Sequence, residues 1–269
     1  MLFAFLLTLF AGLSTGIGSF IAFFVRRSQV GFLSFGLGAS AGVMIYISLV
    51  EMLSKAQESV ALSTGGKTAG WIVIGSFFLG ILISALIDHI VPKYENPHEV
   101  RSTDELSSLK TGETALSLQS SALRRASVIT ALAIAIHNFP EGLATFLSTL
   151  ADPAFGISVA VAIAVHNIPE GISVSVPYFY ATGSRGKAFV YSFLSGLAEP
   201  AGAMVGYFIL RPFMDDIVMG MMFGVIAGIM VFISFDQLLP MAREYGKGHT
   251  AILGVIFGMG IMAVSLLLF

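Results

Sequence analysis

The chain has 269 residues, 56% of them hydrophobic and 11% charged, with a net charge of −2 and a mean hydropathy of +0.88. A soluble domain carries about 25% charged residues, so this chain has too few charges to face water over a globule of its size and reads as a membrane protein. The charge gives no support to nucleic-acid binding, and the absence of cysteine excludes disulfides and thiolate metal sites, leaving His, carboxylate, amide and Met side chains as metal ligands.

A bilayer core takes about 20 apolar residues per helix. Eight stretches meet that length, roughly 1–25, 32–54, 70–91, 126–149, 155–178, 188–210, 216–240 and 250–269. The expected fold is therefore an all-α integral membrane protein of eight transmembrane helices, in one domain covering residues 1–269. Span 1 lacks a basic start and ends in Arg26-Arg27, which reads as a span with a cytoplasmic stop rather than a cleaved leader. Span 2 holds the small-residue pattern Gly38-Ala-Ser-Ala-Gly42 and ends near Glu51. After it, Ala61-Leu-Ser-Thr-Gly-Gly-Lys67-Thr68 resembles a phosphate-binding loop, but the first glycine is missing and no strand precedes it, so no nucleotide is expected. Span 3 ends with Asp88 and His89. The connection over about 92–125 is polar, Ser/Thr-rich and of mixed charge, a cytoplasmic loop rather than a second domain.

Spans 4 and 5 carry a doubled motif, Ile136-His137-Asn138-Phe139-Pro140-Glu141-Gly142 and Val165-His166-Asn167-Ile168-Pro169-Glu170-Gly171, with the copies 29 residues apart. Each copy begins about twelve residues into its span, so on antiparallel neighbours both fall at one depth, near the bilayer centre. His at i and Glu at i+4 project from one helix face, and Asn at i+1 adds an amide about 100° around it. Proline at i+3 frees the carbonyl four residues earlier, which membrane depth tolerates only against protein or a water-filled cavity. Glycine at i+5 permits close packing. Two His, two Asn and two Glu thus face one another across a helix interface, a set suited to a binuclear centre for Zn²⁺, Fe²⁺, Mn²⁺ or Co²⁺.

Span 6 adds Ser195-Gly196-Leu197-Ala198-Glu199-Pro200 at a similar depth, which makes Glu199 the candidate ligand from a third helix. Span 7 reads Gly224-Val-Ile-Ala-Gly228-Ile-Met230-Val-Phe-Ile-Ser234 and matches Gly38–Ser48 of span 2 at six of eleven positions, at a constant offset of 186 residues. The two spans run in opposite directions. Such a relation is the signature of inverted-repeat transporters, with spans 1–3 and 6–8 as the repeated halves around spans 4 and 5.

Of the 14 Lys and Arg, eleven fall in the connections after spans 1, 3, 5 and 7, and only Lys55, Lys67 and Arg211 in the others. The positive-inside rule then sets both termini outside. Six acids remain in the spans: Glu51, Asp88 and Asp236 near helix ends, where water or a cytoplasmic relay with His89 accounts for them, and Glu141, Glu170 and Glu199 near mid-membrane. An unpaired carboxylate there costs about 2.5–3.5 kcal/mol on insertion scales, and a bound cation offsets that cost.

These residues resemble the ZIP (Zrt/Irt-like) metal transporters, in their bacterial zinc-transporting branch. The resemblance runs through AGVM and SLVEML in span 2, HNFPEG, HNIPEG, SGLAE in span 6 and AGIM in span 7. It implies an eight-helix carrier of the cell membrane with outside termini that imports zinc, and often iron, manganese or cobalt, without a catalytic cofactor or nucleotide. Carried over by motif, one metal position uses His137, Glu141, His166 and Glu170 with Met44, and the other uses Asn138, Glu141, Asn167, Glu170 and Glu199. Two departures stand out: the loop before span 4 holds only His98 where many members are His-rich, and span 7 has Asp236-Gln237 where relatives tend to carry two acids. The rival class, an intramembrane metal-dependent hydrolase, lacks its expected HExxH helix. The sequence leaves a homodimer open.

Overall fold

A chain this apolar must satisfy its backbone internally, which in a bilayer restricts it to helices or a closed barrel. The computed structural model describes residues 1–22, 30–90, 135–136, 138–213, 215–245 and 248–268, and the regular structure among them is entirely helical. In chain order the helices are α1 (Leu2–Ala22), α2 (Val30–Tyr46), α3 (Leu53–Thr64), α4 (Gly66–Ile90), α5 (residues 138–151), α6 (Pro153–Thr182), α7 (Arg185–Gly196), α8 (Ala198–Leu210), α9 (Asp216–Ile233), α10 (Leu239–Tyr245) and α11 (Thr250–Leu268). Among the described residues seven helical stretches are long and apolar enough to cross a membrane: Leu2–Phe20, Ser34–Thr64, Gly66–His89, Pro153–Ile172, Arg185–Ile209, Asp216–Arg243 and Thr250–Leu267. The first part of the expected span 126–149 lies outside the described residues; α5 is its remainder.

Local chemistry explains where the helices start and stop. Asp152 caps α6 by accepting from Ala154 N at 2.9 Å, with Pro153 in the first turn, and Gly183 ends it at φ 66°. Ser184 caps α7 through Lys187 N at 3.4 Å, and Asp215 caps α9 through Val218 N at 2.8 Å. Glycine at a left-handed position closes a helix without the clash a Cβ would bring.

The second helix corrects the sequence reading. Span 2 was expected to stop near residue 54 and give way to an outer loop, yet the π-helical turn Ile47–Met52 carries α2 directly into α3, and only Gly65 (φ 81°) separates α3 from α4. The cause is packing. Ala56 and Val60 of α3 are fully buried, and they lie so close to Gly220 of α9 that a Cβ there would strike the Ala56 carbonyl and the Val60 side chain. The polar face, with Lys55 and Glu58 paired at 3.7 Å, is what gives this stretch a loop-like composition. Gln57 Nε2 closes the hairpin on the Gly66 carbonyl at 3.0 Å.

The helices gather into two sets. In one, α1 lies along α6 and touches α7 and α8; in the other, α2 lies along α11, α4 along α9, and α3 and α10 fill in against α9 and α2. Contact between α2 and α6 joins the sets. Glycines set the closest approaches. A Cβ at Gly38 or Gly42 would meet the carbonyls of Ala251 or Val255 on α11, and one at Gly228 would meet that of Phe77 on α4. A second π-helical turn, Ser234–Leu238, follows α9. The offset that aligns Gly38–Ser48 with Gly224–Ser234 brings this turn onto the first.

Candidate metal centre

The centre grows from the i, i+4 geometry of α6 and its docking against α5. His166 and Glu170 share one face of α6, and their nearest ligand atoms, His166 Nε2 and Glu170 Oε2, are 3.5 Å apart. Glu141 of α5 presents Oε1 at 3.7 Å from the same Nε2. The ligand atoms of Glu141, His166 and Glu170 all lie within 4.8 Å of one another, and all three residues are buried. Two atoms bound to zinc at about 2.0–2.1 Å with a tetrahedral angle are about 3.3 Å apart. The two spacings from His166 Nε2 exceed that by only a few tenths of an ångström, and all three donors stay within 4.8 Å.

The glycines of the motif bring the other helices in. A Cβ at Gly142 would collide with the Glu199 backbone of α8, and one at Gly202 with the Phe139 carbonyl of α5, so α5 and α8 meet backbone to backbone. That contact carries Glu199, fully buried, to within electrostatic reach of Glu141 and Glu170. A Cβ at Gly171 would run into the Thr15 carbonyl, which places α1 against α6 in the same way.

Both motif asparagines are fully buried. Asn167 Nδ2 donates to the Ala11 carbonyl at 2.8 Å and to Glu199 Oε1. Asn138 Nδ2 donates to the Ser195 carbonyl at 3.3 Å, next to the break at Leu197 that separates α7 from α8. Carbonyls and carboxylates only accept, so these partners fix which end of each amide is NH₂. Asn138 Oδ1, Asn167 Oδ1 and Glu199 Oε2 are left as buried acceptors with no hydrogen-bond partner among the described residues. Buried oxygens of this kind are costly to leave unpaired and suit a cation.

Of the eight residues expected at the site, the structure therefore brings Glu141, His166 and Glu170 together, joins Asn167 to Glu199 and buries Asn138. His137 lies outside the described residues. Met44 is fully buried in the apolar core on α2, in a cluster that also holds Val43, Ile47 and Ile163. Of the residues near helix ends, Glu51 and Asp88 are half-buried, and His89 and Asp236 are exposed. One contact was missed. Ser40 Oγ lies 2.5 Å from His166 Nδ1, 126 residues away in sequence. Inside Gly38-Ala-Ser-Ala-Gly42 it reads only as a packing residue, and no local signal marks it.

A buried imidazole–carboxylate–amide set, with no Lys or Arg in residues 136–142, 165–171 or 195–200, has the chemistry of a cation binder inside a helical membrane protein. The family described as ZIP Zinc transporter matches residues 1–266. The chain is 58% identical to the zinc transporter ZupT of Nitratidesulfovibrio vulgaris, with 100% of this chain and 98% of that protein aligned. It is 57% identical to the zinc transporter ZupT of Clostridium perfringens (100% and 96% aligned) and 56% identical to that of Streptococcus mutans (99% and 97% aligned). The chain belongs to the ZIP zinc transporter family. It is a multi-pass membrane protein and a metal transporter, not an enzyme.

Proposed function

We propose that the chain imports zinc across the cell membrane through the buried centre formed by α5, α6 and α8. The observation that carries this reading is the convergence of Glu141, His166 and Glu170 within 4.8 Å of one another among membrane-spanning helices. Full-length similarity to proteins named zinc transporters supports it. In this reading one ion sits among His137, Glu141, His166 and Glu170 with Met44, and a second among Asn138, Glu141, Asn167, Glu170 and Glu199. The two glutamates bridge the pair. Nitrogen and oxygen ligands of this kind do not select sharply among first-row divalent ions, so iron, manganese and cobalt are carried as well. Uptake in cells stripped of their own importers, with each metal competing against labelled zinc, tests this; absence of zinc uptake would overturn it.

The architecture that goes with this function is a single transporter domain of eight spans in a 3+2+3 order, the outer triplets forming an inverted repeat. The repeat is supported by matched contacts. Gly38, Gly42 and Gly258 meet Ala251, Val255 and Ala39, while Gly224, Gly228 and Gly80 meet Val73, Phe77 and Val225. Residues 39 and 225, and 38 and 224, keep the offset of 186, and 73 and 77 stand to 251 and 255 as 80 stands to 258. Both termini face outside, which puts Gly66 outside and Gly186 in the cytoplasm. The native chain has no cysteine, so single cysteines at these positions report cleanly. A membrane-impermeant thiol reagent should label Gly66→Cys in intact cells and Gly186→Cys only after permeabilisation; the reverse pattern would invert the topology.

Ligands must shed protons to bind metal. Zinc affinity of the purified protein should therefore fall as pH drops from neutral to mildly acid, by about tenfold per pH unit for each ligand proton displaced. Titration calorimetry at several pH values checks this, and an unchanged affinity would count against histidine and carboxylate ligation.

A further inference from the structure

His166 is buried and its two ring nitrogens face different helices. Nε2 points between Glu141 and Glu170, at 3.7 and 3.5 Å, whereas Nδ1 lies 2.5 Å from Ser40 Oγ on α2. Gly38 and Gly42 on that helix approach α11; Ser40 sits about 200° around the helix from Gly38, toward α6, which α2 also touches. We propose that Ser40 is a positioning residue that holds His166 with its Nε2 lone pair aimed at the ion, an inference that rests on the reading of the centre as a zinc site.

A neutral imidazole has one N–H and one lone pair, so a ligating Nε2 requires the proton on Nδ1. That proton needs a buried acceptor, and Ser40 Oγ is the atom in place to accept it. Without it, Nδ1–H loses its hydrogen bond to Ser40, and the other tautomer, with Nε2–H facing the carboxylates, is favoured. The Ser40 hydroxyl can take this part because its oxygen accepts from Nδ1–H. Because Ser40 lies on α2 and the carboxylates on α5, α6 and α8, the quality of the metal site depends on how α2 docks against α6.

Partners of this kind are worth about 10–100-fold in metal affinity. Zinc binding by the purified full chain, measured by equilibrium dialysis, should weaken by that factor in Ser40→Ala. In a His166→Ala background the same Ser40→Ala change should cost nothing further, because the residue it positions is gone. Ser34→Ala is the structural control: Ser34 Oγ donates to the Ala242 carbonyl at 2.6 Å, away from the centre, so losing this buried hydroxyl of α2 should leave zinc affinity unchanged. Equal affinities for wild type and Ser40→Ala would overturn the proposal, as would a full additional loss in the double variant. Absence of zinc binding by the wild type would overturn the reading of the centre and this inference with it.

Discussion

Glu141→Ala and Glu170→Ala should each abolish zinc uptake while the protein still reaches the membrane in normal amount. The size of the effect follows from the geometry. A residue that only orients a metal ligand is worth about 10–100-fold in affinity, so losing a glutamate with the bridging role proposed here should cost at least about 100-fold. Both carboxylates stand within 3.7 Å of His166 Nε2 and both are buried, so alanine at either position removes a donor from the middle of the site. Folding should not suffer in parallel, because a buried carboxylate is a desolvation cost that alanine does not bear. Asn167→Ala, which removes a neutral amide bonded to Glu199 and the Ala11 carbonyl, should be milder. Labelled-zinc uptake normalised to membrane protein reads all three; near-normal flux from both glutamate variants would refute the bridging role.

The second large effect is a matter of packing. Gly142→Ala adds one carbon where a Cβ would overlap the Glu199 backbone, while Gly75→Ala adds the same carbon where nothing lies within 4 Å. Alanine is the better helix former by about 0.5–1 kcal/mol at both sites. At Gly75 that gain should survive, leaving stability equal or slightly higher. At Gly142 overpacking against rigid backbone should cost about 1–3 kcal/mol and push α8 away from α5. Glu199 then moves out of the centre, so uptake should fall together with thermal stability. Equal melting temperatures for the two variants in detergent would contradict the close approach of α5 and α8.

What was legible in the sequence is what covalent spacing enforces. His166 and Glu170 share a helix face because of i, i+4 geometry, and the doubled motif set Glu141 opposite them. Gly142 and Gly171 announced close approach, though which helix each would meet, α8 or α1, depended on the assembled bundle. Ser40 was invisible because its partner is 126 residues away and its neighbours disguise it as packing. The inner half of the α3–α4 hairpin was misread for a different reason: Ala56 and Val60 bury only a narrow stripe, and the polar residues between them lower the hydropathy to that of a loop. The π-helical turns at Ile47–Met52 and Ser234–Leu238 also left no mark, since their composition matches the helices they interrupt.

Zinc flux into sealed vesicles containing only the purified protein tests the central claim most directly. In the proposed account the doubled motif supplies the ligands and the membrane potential the driving force. For a divalent ion, an inside-negative potential of about 100 mV favours inward movement by about 4.6 kcal/mol, two charges at about 2.3 each. Zinc should therefore accumulate inside without ATP, faster when the potential is imposed, and Glu141→Ala vesicles should stay empty. Wild-type vesicles that admit no zinc at any potential, or Glu141→Ala vesicles that fill as fast as wild type, would contradict the account.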